Sequence, residues 1–406
     1  MNAPLLSLIL IAAIADRPDL EGRVLSDAGQ PVVGAHVLID SAGVRQGTSP
    51  LCPSCYPDCV KSATTDGEGK FRIASVDPDL TFNVLVVADG YRPTFAMKAD
   101  PRKPPVEVSL APFDPSKFDP KCILRGVVLD PEGKPMVGAK VTPKGFSTAA
   151  FSGFSPDYFD PVAVTNLRGE FVLTSKSPIN SADLKVEGNA VAPRIIPGRK
   201  PERNPQELKM TRGATLSGRL VRDGKPVPGV MVGLVQASRN SDSFLGETSI
   251  GTGPDGRFEF LNVHPDEDYF VYGVMGSFQD NQAVPARSVH IGGEDAETDL
   301  GDLTVVQGHR VRGRVLLSDS KAIPPGTRLM LSREDAWDFQ RVELDPEGQF
   351  EISGLPTERY SLSVFLKGYR FSEKNHSIDP QNPREFVGTI DQDIDSLKIL
   401  MDPGAN

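Results

Sequence analysis

The chain has 406 residues, of which 39% are hydrophobic and 24% are charged, values that are typical of folded globular domains and exclude a largely disordered chain. Glycine (38) and proline (36) are frequent, whereas aromatic residues make up 7%, and this composition predicts many short strands joined by turns. The formal net charge of -10, with no basic run, argues against nucleic-acid binding, because phosphate contacts need clustered Lys and Arg.

The N-terminal segment reads MNAPLLSLILIAAIAD, and its apolar run from Leu5 to Ala15 is shorter than the roughly 20 residues needed to span a bilayer. The run ends in a small-x-small pattern before the polar Asp16, as signal peptidase cleavage requires. We therefore predict a signal peptide over residues 1–15 and a secreted or cell-surface protein. A buried first strand and an uncleaved anchor are the alternatives.

One pattern then recurs four times along the chain. It reads LEGRVLSDAGQPVVGAHVLI from residue 20, LRGVVLDPEGKPMVGAKVTP from 124, LSGRLVRDGKPVPGVMVGLV from 216 and, weakly, VRGRVLLSDSKAIPPGTRLML from 311. The leading glycines, Gly22, Gly126, Gly218 and Gly313, are spaced by 104, 92 and 95 residues, which is too long for a solenoid repeat and is typical of small independent domains. We predict domains over 16–112, 122–213, 214–308 and 309–403, with a linker over 113–121.

Within each repeat the same order of short strands is predicted. An alternating strand, a Gly- and Pro-rich turn and a second strand are followed by a variable segment. A glycine-containing turn then leads into a strand that carries Phe71, Phe171, Phe258 or Phe350. An alternating strand and a closing strand complete the unit. Because no stretch beyond the N-terminus shows a sustained helical period, the fold class is predicted to be all-β, with a sandwich in each repeat.

The segments GRVLSDAGQPVVGAHV, TTDGEGKFRI and VVADGYRP of the first unit resemble the carboxypeptidase regulatory-like domain. That domain is a transthyretin-like (prealbumin-like) β-sandwich, also classed with carbohydrate-binding-like folds. The resemblance covers most of residues 20–403 and is weakest in the fourth unit. It implies a tandem array of four such sandwiches in a secreted bacterial-type protein, acting as non-catalytic accessory modules. It does not imply a ligand, because a fold alone does not fix function.

The residues give no sign of catalytic or metal chemistry. The stretch from His264 to Glu267 has the His-x-x-Glu spacing of a zinc motif, but Pro265 and the surrounding turn do not suit converging ligands. Four aspartates over 391–402 have calcium-loop spacing but lack the glycine and the flanking helices of that motif. No nucleophile elbow or phosphate loop is present. We predict that the protein is not an enzyme and takes no cofactor and no metal.

The chain has four cysteines, namely Cys52, Cys55, Cys59 and Cys122. In an exported chain an even number of cysteines in or beside one unit favours two disulfides. A metal site and free or redox-active thiols are the alternatives. Three connectivities are possible, and a bridge from the loop to Cys122 would clamp the first two domains together.

The variable segments supply the candidate ligand-binding residues. The second unit carries Phe154, Tyr158 and Phe159, and the fourth carries Trp337 beside Asp338. Aromatic rings beside carboxylates suit sugars or a protein interface. The alternative is that these rings fold back onto their own sandwich.

Three functions fit these observations. The first is a structural and interaction protein at the cell surface, with the domains forming an elongated rod and binding a protein or glycan partner. The second is a carbohydrate-binding protein that uses the aromatic loops. The third is an accessory subunit of an extracellular hydrolase system. We expect the first.

Overall fold

The structure is a computed structural model that describes residues 17–46, 49, 51, 53–103, 105–153, 158–160, 162–240, 243–375 and 386–404. The predicted signal peptide, Cys52 and Phe154 lie outside the described residues. In the described ranges, no helix has the length and apolar character to cross a membrane.

Domain 1 is a sandwich of two sheets with strand orders β4-β1-β7 and β3-β2-β5-β6. Alternating side chains from both sheets, including Val24, Val37 and Phe82, form its core. Its strands are β1 (Leu20–Ser26), β2 (His36–Val44), β3 (Ser62–Thr64), β4 (Lys70–Ile73), β5 (Leu80–Val87), β6 (Thr94–Ala99) and β7 (Val106–Leu110).

Domain 2 repeats this architecture with strand orders β12-β8-β15 and β10-β9-β13-β14, and β11 also pairs with β9. Its strands are β8 (Ile123–Leu129), β9 (Lys140–Ser147), β10 (Ser152–Gly153), β11 (Ala163–Val164), β12 (Glu170–Thr174), β13 (Ser181–Glu187), β14 (Arg194–Arg199) and β15 (Gln206–Lys209).

Domain 3 pairs β16 with β17, β20 and β24 in one sheet and has the order β19-β18-β21-β23 in the other. A small ribbon of β22 and β25 leads towards domain 4. The strands are β16 (Ala214–Arg222), β17 (Lys225–Pro226), β18 (Met231–Gln236), β19 (Glu247–Gly251), β20 (Arg257–Val263), β21 (Glu267–Gly273), β22 (Gln282–Ala283), β23 (Arg287–Ile291), β24 (Glu297–Thr304) and β25 (Val306–Gln307).

Domain 4 has the strand orders β29-β26-β33-β31 and β28-β27-β30-β32. Although its sequence is the most divergent of the four, the sheet order is that of the other domains. Its strands are β26 (His309–Leu317), β27 (Arg328–Arg333), β28 (Phe339–Glu343), β29 (Gln349–Leu355), β30 (Glu358–Phe365), β31 (Tyr369–Phe371), β32 (Phe386–Ile390) and β33 (Ile394–Pro403).

The repeated glycine and phenylalanine have one structural role in all four domains. The first strand of each domain pairs antiparallel with the Phe-bearing strand and parallel with the closing strand. In that register each glycine lies opposite its phenylalanine, as in Gly22 and Phe71. A Cβ at any of the four glycines would lie closer than 3.0 Å to the facing ring. The ring therefore packs directly over the bare backbone, and the pair defines the core of each sandwich.

The segment between domains 1 and 2 is ordered by its own polar side chains. Short 3-10 turns lie at Pro57–Val60, Pro115–Lys117, Pro120–Cys122 and Met275–Ser277. Asp114 and Asp119 cap the two turns at 115–122 by accepting hydrogen bonds from the backbone amides of Ser116 and Lys121.

The pairs of sheets described above confirm the predicted fold class, a tandem array of four β-sandwiches.

Candidate functional site

The aromatic segment of domain 2 packs on its own sandwich. Phe159 is 6% exposed and belongs to the domain core, and its ring lies 5.5 Å from that of Phe146. Tyr158 is partly buried and stacks on the same Phe146 at 4.2 Å. In contrast, Phe151 is 54% exposed. The Phe159 ring therefore packs into its own sandwich and is not available to a ligand, whereas the ligand-binding role of Tyr158 stays a prediction.

Asp338 in domain 4 is also unavailable to a ligand. It is 8% exposed and accepts a hydrogen bond from the backbone amide of Met275, in domain 3, at 2.8 Å. Trp337, which precedes it, is 49% exposed, but Phe244 lies 5.1 Å from its ring and the Arg239 guanidinium lies 5.0 Å from it. Both contacts come from domain 3. The predicted ligand loop is a domain junction.

Arg333 is the central side chain of this junction. Its side chain is 0% exposed, and it donates to the carbonyl oxygens of Gly273 at 2.8 Å and Val284 at 3.2 Å, both in domain 3. On its own domain it pairs with Glu358 at 2.6 Å and Asp338 at 3.4 Å. Glu358 in turn accepts from the backbone amide of Ala286. Each of the three charged side chains therefore binds the backbone of domain 3.

Burial and hydrogen bonding act on this network in opposite directions. Burial alone would lower the pKa of Arg333, but hydrogen bonding and the charge of Glu358 hold it above its usual value. Burial raises the pKa of the Asp338 carboxyl, against the opposing effects of the Met275 amide and Arg333. A buried ion set of this kind is stabilising only when its hydrogen bonds are made, and here they are made across the junction.

An apolar cluster completes the contact between domains 3 and 4. Val235 and Tyr272 of domain 3 and Ala336 of domain 4 are buried together, with Phe244 and Phe270 packed against them. The Arg333 guanidinium lies 5.2 Å from the Tyr272 ring centroid, within the range of a cation–π contact. The junction thus has the aromatic and arginine-containing composition of a specific interface.

A signal for this junction was present in the sequence. In β27 the side chains of Leu329, Leu331 and Arg333 alternate with exposed or half-buried ones, so Arg333 takes an inward position of a period-2 pattern. A charged residue at such a position predicts a buried partner. The partners of Arg333 are not evident from the sequence, because the two carboxylates lie 5 and 25 residues further along the chain.

Domains 1 and 2 are joined by a second interface. Leu85 and Val87 of domain 1 are buried against Val164 of domain 2. Asp40 pairs with Lys140 at 3.1 Å, and Arg92 pairs with Asp160 at 2.8 Å. The Asn189 side chain also donates a hydrogen bond of 2.7 Å to the carbonyl oxygen of Cys59.

The cysteines near this interface correct the prediction of two disulfides. Cys55 is disulfide-bonded, whereas Cys59 and Cys122 are free thiols and both are buried. Cys59 belongs to the core of domain 1, and burial raises the pKa of its thiol to about 12. These two cysteines act as small core residues, and no disulfide joins the first two domains through Cys122.

Domains 1, 2 and 3 meet around one cavity of about 420 Å³. Its lining includes the Asp40–Lys140 ion pair, Asn189 of domain 2 and Glu247 of domain 3. Beside it, the backbone amide of Gly251 in domain 3 donates to the carbonyl oxygen of Ser49 in domain 1 at 2.6 Å. Direct contact between the first and third domains is incompatible with the elongated rod expected from the repeat. The first three domains are instead clustered.

His264 contacts Glu267 within the turn that joins them. The Nδ1 atom of His264 lies 3.6 Å from a Glu267 carboxylate oxygen and 3.1 Å from the carbonyl oxygen of Pro265. Among the described residues, no group of three His, Cys, Asp or Glu side chains is arranged to hold a metal ion.

Comparison with known proteins identifies domain 1. The family model of the carboxypeptidase regulatory-like domain matches residues 19–110. The resemblance seen in the sequence is confirmed for this range, and domains 2 to 4 are related to it by the sequence repeat and the common sheet order. No curated protein matches the chain.

Several solved structures are similar at low identity. The Bacillus anthracis TIE protein is 12% identical with a TM-score of 0.20, over 95% of this chain and 73% of that one. The minor pilin GBS52 of Streptococcus agalactiae is 17% identical with a TM-score of 0.24, over 48% of this chain and 98% of that one. A streptococcal ancillary pilin is 13% identical with a TM-score of 0.23, over 70% and 100% of the two chains. Similarity at these TM-scores says nothing about function.

Proposed function

We propose that this chain is a non-catalytic structural and interaction protein whose four sandwiches dock into one stiff body that presents its outer surfaces to partners. The observation that carries the proposal is the buried Arg333, which donates to two backbone carbonyls of the preceding domain. Domains that move freely on linkers would expose this charge and its two carboxylates each time they separate. Burying them is favourable only in a lasting contact.

The proposal places the protein outside the cytoplasm. Cys55 is disulfide-bonded, and disulfides persist in oxidising compartments. Accessory modules of the family that matches domain 1 occur in secreted and surface proteins, as the sequence resemblance implies. Recovery of the protein with an oxidised Cys55 in the exported fraction of its host supports this location, and recovery in the cytoplasmic fraction with a reduced Cys55 contradicts it.

The docking of domains 3 and 4 is tested with Arg333→Ala. Removing one partner of a buried charge set costs about 3–5 kcal/mol, because Glu358 and Asp338 are left buried and uncompensated. Trp337 is the one tryptophan of the chain and contacts Phe244 across the junction, so its fluorescence reports on docking. The matched control is Arg312→Ala, because Arg312 pairs with Glu351 on the exposed surface of domain 4.

We expect the wild type and Arg312→Ala to lose Trp337 fluorescence together with the main calorimetric transition of domains 3 and 4. In Arg333→Ala the fluorescence change should precede that transition, while circular dichroism still shows folded strands. A second variant, Arg333→Met with Asp338→Asn and Glu358→Gln, keeps acceptors for the Met275 and Ala286 amides and should be milder. Independent unfolding of domains 3 and 4 in the wild type would contradict the proposal.

A further inference from the structure

Within the described residues, the outer face of one sheet in domain 4 is exposed, and only at its edge do Phe339 and Arg341 line a cleft with Met275 and Phe278 of domain 3. In the sheet β28-β27-β30-β32, residues directly opposite one another share a face. The cross-strand pairs Ser332–Phe339, Met330–Arg341 and Arg328–Phe365 place these side chains on the outer side, away from the buried Leu329 and Leu331. We call this surface the cationic face, defined by Arg328, Met330, Phe339, Arg341, Arg359 and Phe365.

The cationic face combines exposed apolar rings with arginine. Phe339 is 51% exposed and Phe365 is 53% exposed. The Arg341 guanidinium lies between them, 5.6 Å from the first ring centroid and 5.9 Å from the second. Aromatic residues, Met and Arg are the types enriched in the centres of protein interfaces, whereas Lys is depleted there.

Its charge indicates what it binds. Within the described residues, Arg328, Arg341 and Arg359 form no ion pair, in contrast to Arg310, Arg312 and Arg333 of the same domain. The opposing charge on this face is Glu343, opposite Arg328 in the register. A face with three unpaired guanidinium groups in a chain of net charge -10 fits an acidic protein surface.

Domain 3 supplies such a surface. Residues 214–308 contain six Lys or Arg and fourteen Asp or Glu. On the outer side of its first sheet, Ser217 lies between Asp299 and Glu259, and Thr215 lies opposite Glu297. These three acidic residues are exposed and form no ion pair within the described part of the chain. We call Glu259, Glu297 and Asp299 the acidic face.

We propose that the cationic face of domain 4 binds the acidic face of domain 3 of a second copy of this chain. Because the two faces differ, a contact between two copies leaves one cationic face and one acidic face unoccupied. Contacts of this heterologous type add copies head to tail, into a ring if the rotation closes and into an open filament if it does not. The inference rests on the proposed interaction function and names its partner.

The size of the face sets the strength of the contact. Four strands spaced about 4.8 Å apart, with five to eight residues rising about 3.3 Å each, give a face of roughly 400 Å². Stable interfaces bury about 800 Å² per partner. The association is therefore weak, driven by charge, and sensitive to salt, since the Debye length falls from about 30 Å at 0.01 M to about 3 Å at 1 M ionic strength.

The test is sedimentation equilibrium of the full chain at low and high salt. We expect the weight-average mass to rise with concentration at low salt, beyond the mass of a dimer, and to return to the monomer at high salt. Arg341→Glu and Asp299→Arg should each weaken association at least tenfold. The double variant in one chain should restore it, because the two reversed charges again face each other. Arg203→Glu, an exposed arginine of domain 2, is the charge-matched control.

A wild type that stays monomeric at every concentration at low salt overturns the inference. So does association that both single variants leave unchanged. If the monomeric chain instead binds heparin and loses this binding with Arg341→Glu, the face recognises a polyanion and the assigned partner is wrong. None of these outcomes affects the docking of domains within one chain, which the Trp337 measurement tests separately.

Discussion

The Nη1 atom of Arg333 lies 2.8 Å from the carbonyl oxygen of Gly273, although the two residues belong to different domains. The carbonyl belongs to the last residue of β21, so a side chain of domain 4 completes the hydrogen bonding of a domain 3 strand end. Buried backbone groups in proteins are almost always paired. The Gly273 carbonyl therefore has this hydrogen-bond partner only when domain 4 is docked.

The aromatic segment of domain 2 should contribute to stability rather than to binding. We expect Phe159→Ala to destabilise domain 2 by about 3–5 kcal/mol, because the ring is buried in the core. Phe151→Ala is the matched control, since this ring lies in the same segment and is 54% exposed. Thermal unfolding measures both. Equal melting of the two variants would show that the Phe159 ring is not a core residue.

The packing of a ring over bare backbone predicts a severe effect of Gly22→Ala. The added Cβ would meet the Phe71 ring and the carbonyl oxygen of Val106, and the backbone carbonyl cannot move aside. We expect a loss of about 1–3 kcal/mol, as for other overpacked cores. Gly43→Ala is the control, because a Cβ at Gly43 meets no atom within 4 Å and its φ is not positive. Chemical denaturation distinguishes them, and tolerance of Gly22→Ala would contradict the packing.

Domain 1 should lose stability in acid through Asp100. The hydrogen bonds from Arg45, one of 2.6 Å, hold the pKa of this carboxyl well below its usual value, although burial opposes the shift. A depressed pKa gives stability that is present above the unfolded value of about 3.9 and is lost as the pH falls through the folded value. Asp100→Asn should flatten this acid limb of the stability profile. Asp79→Asn, which removes an exposed ion pair with Arg102, should leave it unchanged.

The two buried thiols should be unreactive in the folded protein. Cys59 and Cys122 are free, and the raised pKa of Cys59, about 12, leaves almost no thiolate at neutral pH. We expect no alkylation by iodoacetamide under native conditions and two additions per chain after denaturation without reductant. Peptide mapping assigns them. Four additions would contradict a disulfide-bonded Cys55, and no addition would contradict free thiols at Cys59 and Cys122.

The sequence predicted the fold well because the repeat encodes it locally. Gly22 and Phe71 recur with their counterparts in all four units, and alternation of apolar residues identifies the strands. The fourth unit keeps the sheet order despite its divergence, because the inward positions of its strands, apart from Arg333, stay apolar.

The site was predicted poorly because it is formed by residues that are distant in sequence. Nothing near Trp337 shows that Phe244 and Arg239 lie against it. The predicted export of the chain and its even number of cysteines favoured disulfide pairing of all four. Cys59, however, lies at an inward position among apolar side chains. The direct contact of Ser49 with Gly251 has no local signal, and the repeat alone favoured a rod.

Small-angle scattering of the full chain tests the docked arrangement most directly. Domains of about 95 residues have a radius of gyration of about 12 Å, so four in a row would give about 38 Å. Three clustered domains with the fourth docked on the third would give about 30 Å on the same scaling. We expect the lower value, unchanged between low and high salt at dilute concentration. A value near 38 Å, or a profile that fits only a broad ensemble of domain positions, would contradict the docked body.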